Sequence, residues 1–549
     1  MTDSVYASLP RRIDIPEKPA TALLSDSAAR FPERPAIDFF GVGMTYAQLD
    51  AAVDKAVGAI RSLGAERGEP IAMMTPNSPQ SVILYHAILR AGCVVVQTNP
   101  LYVEREIEGQ FVDAGVRFAF VSDLFHARVA AVRDKTPLEK VVVTRLDDYM
   151  PWLTGKLFRL KMRLQRRLSS IRYDEGTLAW SDVMGAAPVG AGAADVSVDD
   201  TAVYLYTSGT TGTAKAVVLS HGNVYANAYQ CRAWFMDAEE GKEVFILALP
   251  QFHAFGMTAG MNLGLLLGAK LVVTPKFDAG QAMKLIERHK ATLFPGVPAM
   301  YIAIIGHQDA ARRDMSSIKY CISGAATLTA ETKQRFEFLT GGTLVEGYGL
   351  SEASPVTHCN PLQAPNRIGA IGMPLPNTES KILLESTEEA PPGHVGELVV
   401  RGPQVMQGYK DRPEETARAL KNGWLFTGDM GYADDDGFVY LMDRKKEMII
   451  TGGCNVYPKE VEEALYRIDG VVEAAVVGLP DDYLGERVAA AVVVAPKTTL
   501  TAKGIIRALK SDLAGYKVPK KIFFIDALPK SVIGKTLKRV LRERLIKTG

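Results

Sequence analysis

Short β-branched runs separated by helix-length stretches restrict the fold of this chain more than any other feature. Residues 70–74, 80–90 and 93–97 read as strand, helix, strand, and 201–206, 244–249, 271–274, 292–294 and 319–322 continue the strand series. A strand that returns parallel to its neighbour needs a crossover of helical length, so the alternation predicts stacked α/β units with parallel-rich sheets. Between 360 and 413 Gly- and Pro-rich connections multiply, and short runs such as 397–400 predict a small β-barrel-like unit. After Asp443 the pattern becomes compact α+β: helix 459–467, strands 474–477 and 488–494, helix 502–513, strand 522–525. A chain of 549 residues exceeds one ordinary core and should divide into two to four units.

The 201–206 strand runs directly into Tyr206-Thr-Ser-Gly-Thr-Thr-Gly-Thr-Ala-Lys215. Glycines let backbone N–H groups close around a phosphate without a Cβ in the way, and the hydroxyls add donors or a metal ligand. A Walker A loop would end Gly-Lys-Ser/Thr, whereas Ala214-Lys215-Ala216 stands here. Alone, the run also fits a polar turn between a strand and a helix. Further runs follow it: Pro250-Gln-Phe-His253, Ser323-Gly-Ala-Ala326, Gly347-Tyr-Gly-Leu-Ser-Glu352, Gly423-Trp-Leu-Phe-Thr-Gly-Asp429, Asp443-Arg-Lys-Lys-Glu447, Gly452-Gly-Cys-Asn-Val-Tyr-Pro458 and Pro529-Lys-Ser-Val-Ile-Gly-Lys535.

In content and order these runs resemble the ANL adenylating superfamily across essentially the whole chain. Within it the resemblance is nearest to bacterial long-chain fatty-acid–CoA ligases, especially at Gln97-Thr-Asn-Pro-Leu-Tyr102 and 346–358. Ala214 replaces the usual proline and Ala216 the usual glycine. The resemblance implies a large nucleotide- and acyl-binding domain, 1–443, and a smaller mobile domain, 444–549, hinged at Lys446.

It also implies ATP-dependent ligation of a medium- to long-chain fatty acid to CoA through an acyl-adenylate. A carboxylate is a poor electrophile, and transfer to the α-phosphate of ATP supplies AMP as its leaving group. Such a site needs phosphate donors, a divalent ion and a cation, and acts by positioning and electrostatics. By resemblance, Thr207, Ser208, Gly209, Thr210, Thr211 and Gly212 cradle phosphate, and Lys215 and Lys535 are catalytic cations. Glu352 with Thr207 would hold Mg²⁺ through hard oxygens. Tyr348 would lie on one side of adenine, Gly324 and Ala325 on the other, with Glu346, Gly347, Gly349 and Ser351 completing the nucleotide site. Asp429 and Arg444 would hold the ribose, His253 would stand beside the acyl carboxylate, and Gly452, Gly453 and Cys454 would border CoA. Met257 falls where some long-chain members carry a gating Trp. Residues 261–267 fit an acyl-tunnel lining or a buried helix equally.

Ordinary alternatives stay open at each position: surface charge for Lys535, a helix-start carboxylate for Glu352, a turn aspartate for Asp429, an exposed arginine for Arg444, core packing for Tyr348, a structural histidine for His253. At the level of the protein, the acceptor could be a carrier-protein thiol or an amine, and an oxygenase or a non-catalytic nucleotide-binding or membrane-adaptor protein are remoter readings.

Five scattered cysteines with no CxxC pair predict reduced thiols, with neither a disulfide framework nor a zinc site. The absence of an apolar leader or of about 18 consecutive apolar residues predicts a cytoplasmic protein. Residues 444–549 hold 20 Lys/Arg against 12 Asp/Glu, a net +8, and the remainder −7. That asymmetry suits a polyanionic small molecule such as ATP or CoA, or simply a solvated basic surface. No nucleic-acid partner is expected, and a homodimer is left open. Residues 156–172 carry seven Lys/Arg and no Asp/Glu, with Leu157, Leu160, Leu164, Leu168 and Ile171 on one helical stripe. This fits peripheral membrane contact, or a surface helix whose leucines pack on their own domain.

Overall fold

The alternating segments from 70 to 144 form the centre of an eight-stranded sheet in the computed structural model. The structure describes all residues except 1–5, 7, 166, 189, 191, 208–213, 453, 482, 497, 532–535 and 549. Strand order is Gly408–Tyr409, Lys215–Ser220, Thr201–Thr207, Val94–Gln97, Pro70–Met74, Phe118–Ser122, Lys140–Thr144, Thr177–Ala179. Pairing is parallel from Thr201–Thr207 onward and antiparallel in the two strands before it. Val94–Gln97 is buried at every residue, as a central parallel strand covered on both faces must be. The helix Pro79–Arg90 is buried throughout; Ser78 caps it and Pro79 opens its first turn. Its Arg90 is accommodated by Asp50 and Asp54, at 2.5 and 2.6 Å.

A second series runs Val42–Thr45, Pro35–Phe39, Lys270–Val273, Val244–Leu247, and a third contains Tyr320–Ser323, Thr343–Gly349 and Val356–Cys359. The strand expected at 292–294 is reduced to one residue. Leu293 alone bridges Phe245 and Tyr320, joining the two series. Gly296 bridges Ser323 once more in parallel before Pro298 opens the helix Pro298–Ile305.

Residues 261–267 are a buried helix, a π turn Gly256–Asn262 continued by Leu263–Leu266. Gly260 and Gly264 let it sit on the sheet, since a Cβ would come within 2.6 Å of Leu247 and 2.5 Å of Leu271. The basic stretch is helical over Trp152–Leu164, earlier and shorter than 156–172, with Gln165 at its end. Among the described residues no helix is long and apolar enough to cross a membrane.

The chain divides into two compact units: residues 1–368, 374–379 and 401–425, and residues 369–373, 380–400 and 426–549. Short strands including Gly396–Arg401, Trp424–Ala433 and Val439–Arg444 make the small β unit, a five-stranded sheet. Further on, Val471–Asp481 and Gly485–Val494 form one long hairpin, so both strands outrun their expected bounds. Asp481 closes its turn by accepting from the N–H groups of Tyr483 and Leu484. Alternate residues face opposite ways along a strand. Val476, Val488, Ala490 and Val492 therefore meet helices Pro458–Tyr466 and Ala502–Asp512, while Ala475, Val477, Ala489 and Ala491 meet Lys538–Thr548.

Candidate active site

Thr207 and Lys215 face each other across antiparallel strands. The strand that enters the glycine- and hydroxyl-rich run is therefore followed in the chain by a paired antiparallel strand, and not directly by a helix. Val217 and Val218 lie in the second strand, Lys215–Ser220, and the helix His221–Trp234 starts only at the Ser220 cap. Ser208, Gly209, Thr210, Thr211 and Gly212 lie outside the described residues. Lys215 Nζ stands 3.7 Å from Glu415 and 5.3 Å from the centre of the Tyr409 ring. The Tyr409 hydroxyl donates to Glu352 Oε1 at 2.9 Å. Tyr409 thus stands between Glu352 and Lys215, the cross-strand partner of Thr207, and no sequence signal singled it out.

Glu352 sits in the 3-10 turn Ser351–Ala353. Three contacts hold that turn: Leu350 N–H donates to Pro355 O, Met406 N–H to Glu352 O, and Thr258 Oγ1 to Ser354 O at 2.6 Å. Gly349 just before it tolerates no side chain, because a Cβ would lie 2.0 Å from Pro355 O.

Gly324 and Ala325 follow the carboxyl end of Tyr320–Ser323, which runs parallel to Thr343–Gly349 with Ser323 opposite Glu346. The 324–325 loop and the segment Gly347–Tyr348 therefore share the end of the sheet where open α/β folds bind ligands. Ala325 is held at φ 68°, a left-handed conformation few side chains adopt. Buried Glu346 ties this loop down, its carboxylate accepting from Leu328 N–H at 3.0 Å. Half-buried Tyr348 has its ring 6.1 Å from that of His358.

His253 joins this group through Phe255, whose ring leaves a Cβ at Gly324 only 2.9 Å away. His253 Nε2 is shielded and has no hydrogen-bond partner among the described residues. Burial lowers its pKa to about 4, so the ring is neutral near pH 7. We therefore expect no activity limb near pH 6.5 from this residue; a limb there that vanishes in His253→Gln would refute a neutral imidazole. Met257 is fully buried.

In the second unit, Asp429 and Arg444 are cross-strand partners, with Arg444 Nε 3.2 Å from Asp429 Oδ1. The Asp429 side chain is 8% exposed and that of Arg444 46%. Lys446 is exposed in the turn that follows; Gly452 adopts φ 56° and Cys454 is exposed. Gly453 and Lys535 lie outside the described residues. Beside Lys535, Lys530 and Thr536 form an antiparallel bridge, and Leu537 N–H donates to Pro529 O at 2.8 Å.

Lys538 is the second residue the sequence reading missed. Its Nζ lies 3.0 Å from Glu462, 3.6 Å from Asp443 and 3.7 Å from Glu447. Burial opposes its charge, and the three carboxylates more than offset that, holding its pKa above the usual lysine value. Asp443 and Glu447 bracket Lys446, so this contact ties the Lys446 turn to the segment that follows Lys535. Lys538→Met leaves mostly buried carboxylates unpaired and should destabilise this unit by about 3 kcal/mol. A urea midpoint equal to that of the wild type would show the pairing to be idle.

Comparison with known proteins covers the same ground. The family described as AMP-binding enzyme matches residues 24–410, and its C-terminal domain matches 460–535. A long-chain-fatty-acid–CoA ligase of Bacillus subtilis is 43% identical over 540 residues, 97% of this chain and 96% of that protein. A ligase of the same name from Escherichia coli O6:H1 is 35% identical, covering 95% and 93%. Among solved structures, ATP-bound MatB of Rhodopseudomonas palustris superposes with TM-score 0.85 at 30% identity, covering 97% of this chain and 100% of that one.

Proposed function

The chain belongs to the AMP-binding enzyme family, and from that premise we propose that it ligates a medium- to long-chain fatty acid to CoA, forming an acyl-adenylate and releasing AMP and pyrophosphate. The observation that carries this reading is the 43% identity to the Bacillus subtilis ligase over nearly the full length of both chains.

In this reading Thr207 and the 208–212 loop cradle the phosphates, and Lys215 and Lys535 meet the charge that builds on the α-phosphate. Glu352 and Thr207 would hold Mg²⁺, which neutralises phosphate charge. One carboxylate and one hydroxyl suit an ion that keeps water and phosphate oxygens as its other ligands, and Tyr409 orients that carboxylate. Tyr348 with Gly324 and Ala325 takes adenine, alongside Glu346, Gly347, Gly349 and Ser351, and Asp429 with Arg444 takes the ribose hydroxyls. A neutral His253 stands beside the acyl carboxylate without pairing with its charge, which leaves the attacking oxygen nucleophilic.

Lys446 is the hinge between working domains 1–443 and 444–549, a boundary that falls inside the second compact unit. Gly452, Gly453 and Cys454 then border CoA, which brings its own thiol. The partners are small molecules, and the protein works in the cytoplasm with peripheral membrane contact near 156–172.

A panel of acids from acetate to C18, with one aryl acid, tests the reading by AMP formation with and without CoA. Steady turnover should require CoA and peak among the medium and long chains. Turnover that ignores CoA but follows a carrier thiol or an amine would overturn the acceptor, and preference for the aryl acid would overturn the chain.

A further inference from the structure

The helix Trp152–Leu164 presents two opposite faces. Successive residues turn by about 100°, so Leu153, Leu157, Leu160 and Leu164 fall within about 60° of one another. Gly155 and Met162, the buried residues of the helix, lie roughly opposite. Gly155 packs against the 3-10 turn Leu146–Tyr149; a Cβ there would meet Asp147 at 3.3 Å. Arg159, on the inner side, reaches Asp123 at 3.4 Å and Asp147 at 3.3 Å. The helix is thus fastened to its own unit by glycine, methionine and arginine, and the leucines take no part.

They point to solvent instead. Trp152 is 72% exposed, Leu153 62%, Leu157 59%, Leu160 54% and Leu164 77%. The domain-packing alternative is therefore wrong for Leu157, Leu160 and Leu164, and it holds for Ile171, which packs against the core of its own domain. Leu168 and Ile171 fall beyond the end of the helix. Lys156 and Arg163 flank the stripe on one side and Lys161 on the other, and the Lys156 ammonium lies 4.0 Å from the centre of the Trp152 ring.

We propose that this outward face docks the protein on an anionic lipid surface, with Leu153, Leu157, Leu160 and Leu164 entering the acyl boundary. Trp152 sits at headgroup level, and Lys156, Lys161 and Arg163 meet lipid phosphate. A leucine stripe bordered by cations, with an aromatic at its edge, has the composition of an interfacial helix. A second copy of the chain is a poorer occupant. A two-fold contact would lay this patch on itself, bringing the same three cations together with no acidic residue from 156 to 172 to answer them. The inference rests on the peripheral contact proposed above, and not on the ligase reaction.

Cosedimentation of the full chain with vesicles of phosphatidylglycerol and phosphatidylcholine, against phosphatidylcholine alone, tests it without substrate. The wild type should bind the anionic vesicles and lose binding as salt rises. The triple variant Leu157→Gln, Leu160→Gln, Leu164→Gln changes only exposed positions and should bind at least ~30-fold more weakly. Lys156→Gln, Lys161→Gln, Arg163→Gln should weaken binding about fivefold for each charge at the surface. Both variants should keep wild-type turnover of a soluble medium-chain acid.

Leucine variants that bind as tightly as the wild type, or a wild type that ignores anionic vesicles, overturn the proposal. A dimer that the leucine variant dissociates, with no vesicle binding, assigns the face to a second copy and also overturns it. An active ligase that ignores vesicles sinks this inference alone. Vesicle binding by a protein without ligase activity sinks the reaction alone.

Discussion

Replacing Lys535 with alanine should lower acyl-adenylate formation by about 10² to 10³-fold, the scale of losing one preorganised donor at a developing charge, ~2.7–4 kcal/mol. Negative charge gathers on the α-phosphate oxygens as the carboxylate attacks, and a lysine there gains more in the transition state than in the bound ground state. ATP–pyrophosphate exchange reads this step alone. Transfer of a pre-formed acyl-adenylate to CoA should fall much less, because charge there builds on the acyl carbonyl oxygen as the thiolate attacks. Lys535→Arg should recover little, since a planar guanidinium cannot replace a compact ammonium at a fitted point. Equal losses in both half-reactions would refute this division of labour.

Lys446→Pro should do the reverse: adenylation within about twofold of wild type, and thioester formation down by at least about 10²-fold. Proline fixes φ near −65° and removes the backbone donor, so it locks a residue whose dihedrals must change between the two half-reactions. Lys446 lies in a tight turn, with Glu447 and Met448 N–H groups both donating to Arg444 O, at 2.8 and 3.0 Å. Lys538 anchors Asp443 before the turn and Glu447 within it, which concentrates any rotation in the residues between. Lys446→Ala serves as the control, because it keeps the backbone free and should retain both steps. A proline variant that completes both steps would place the hinge elsewhere.

The parts of this protein legible from sequence are those written in neighbouring residues. The parallel strands around 70–144 are near-continuous apolar runs because both faces of a covered sheet are apolar. The helix Pro79–Arg90 announces itself through the Ser78 cap and the proline after it. The glycine-bearing runs are recognisable because close backbone approach demands glycine at set positions, and at Gly349 a Cβ would lie 2.0 Å from Pro355 O. The strand at 292–294 is present only as isolated bridges, at Leu293 and then at Gly296, since a short apolar run has the same composition whether it pairs along its length or at single residues.

Sequence alone therefore determined the order and type of most elements and the mixed α/β organisation, both of which depend on local periodicity and on residues adjacent in the chain. The tertiary structure decided which partners those residues meet. Tyr409 finds Glu352 57 residues away in sequence, and Lys538 gathers carboxylates from the strand Val439–Arg444, the turn after it and the helix Pro458–Tyr466. The helix Trp152–Leu164 makes the same point: its wheel shows that a leucine stripe exists, but only the packing of Gly155, Met162 and Arg159 determines that the stripe faces outward. Periodicity records the faces of an element, whereas the direction a face takes is set by contacts between segments far apart in the chain.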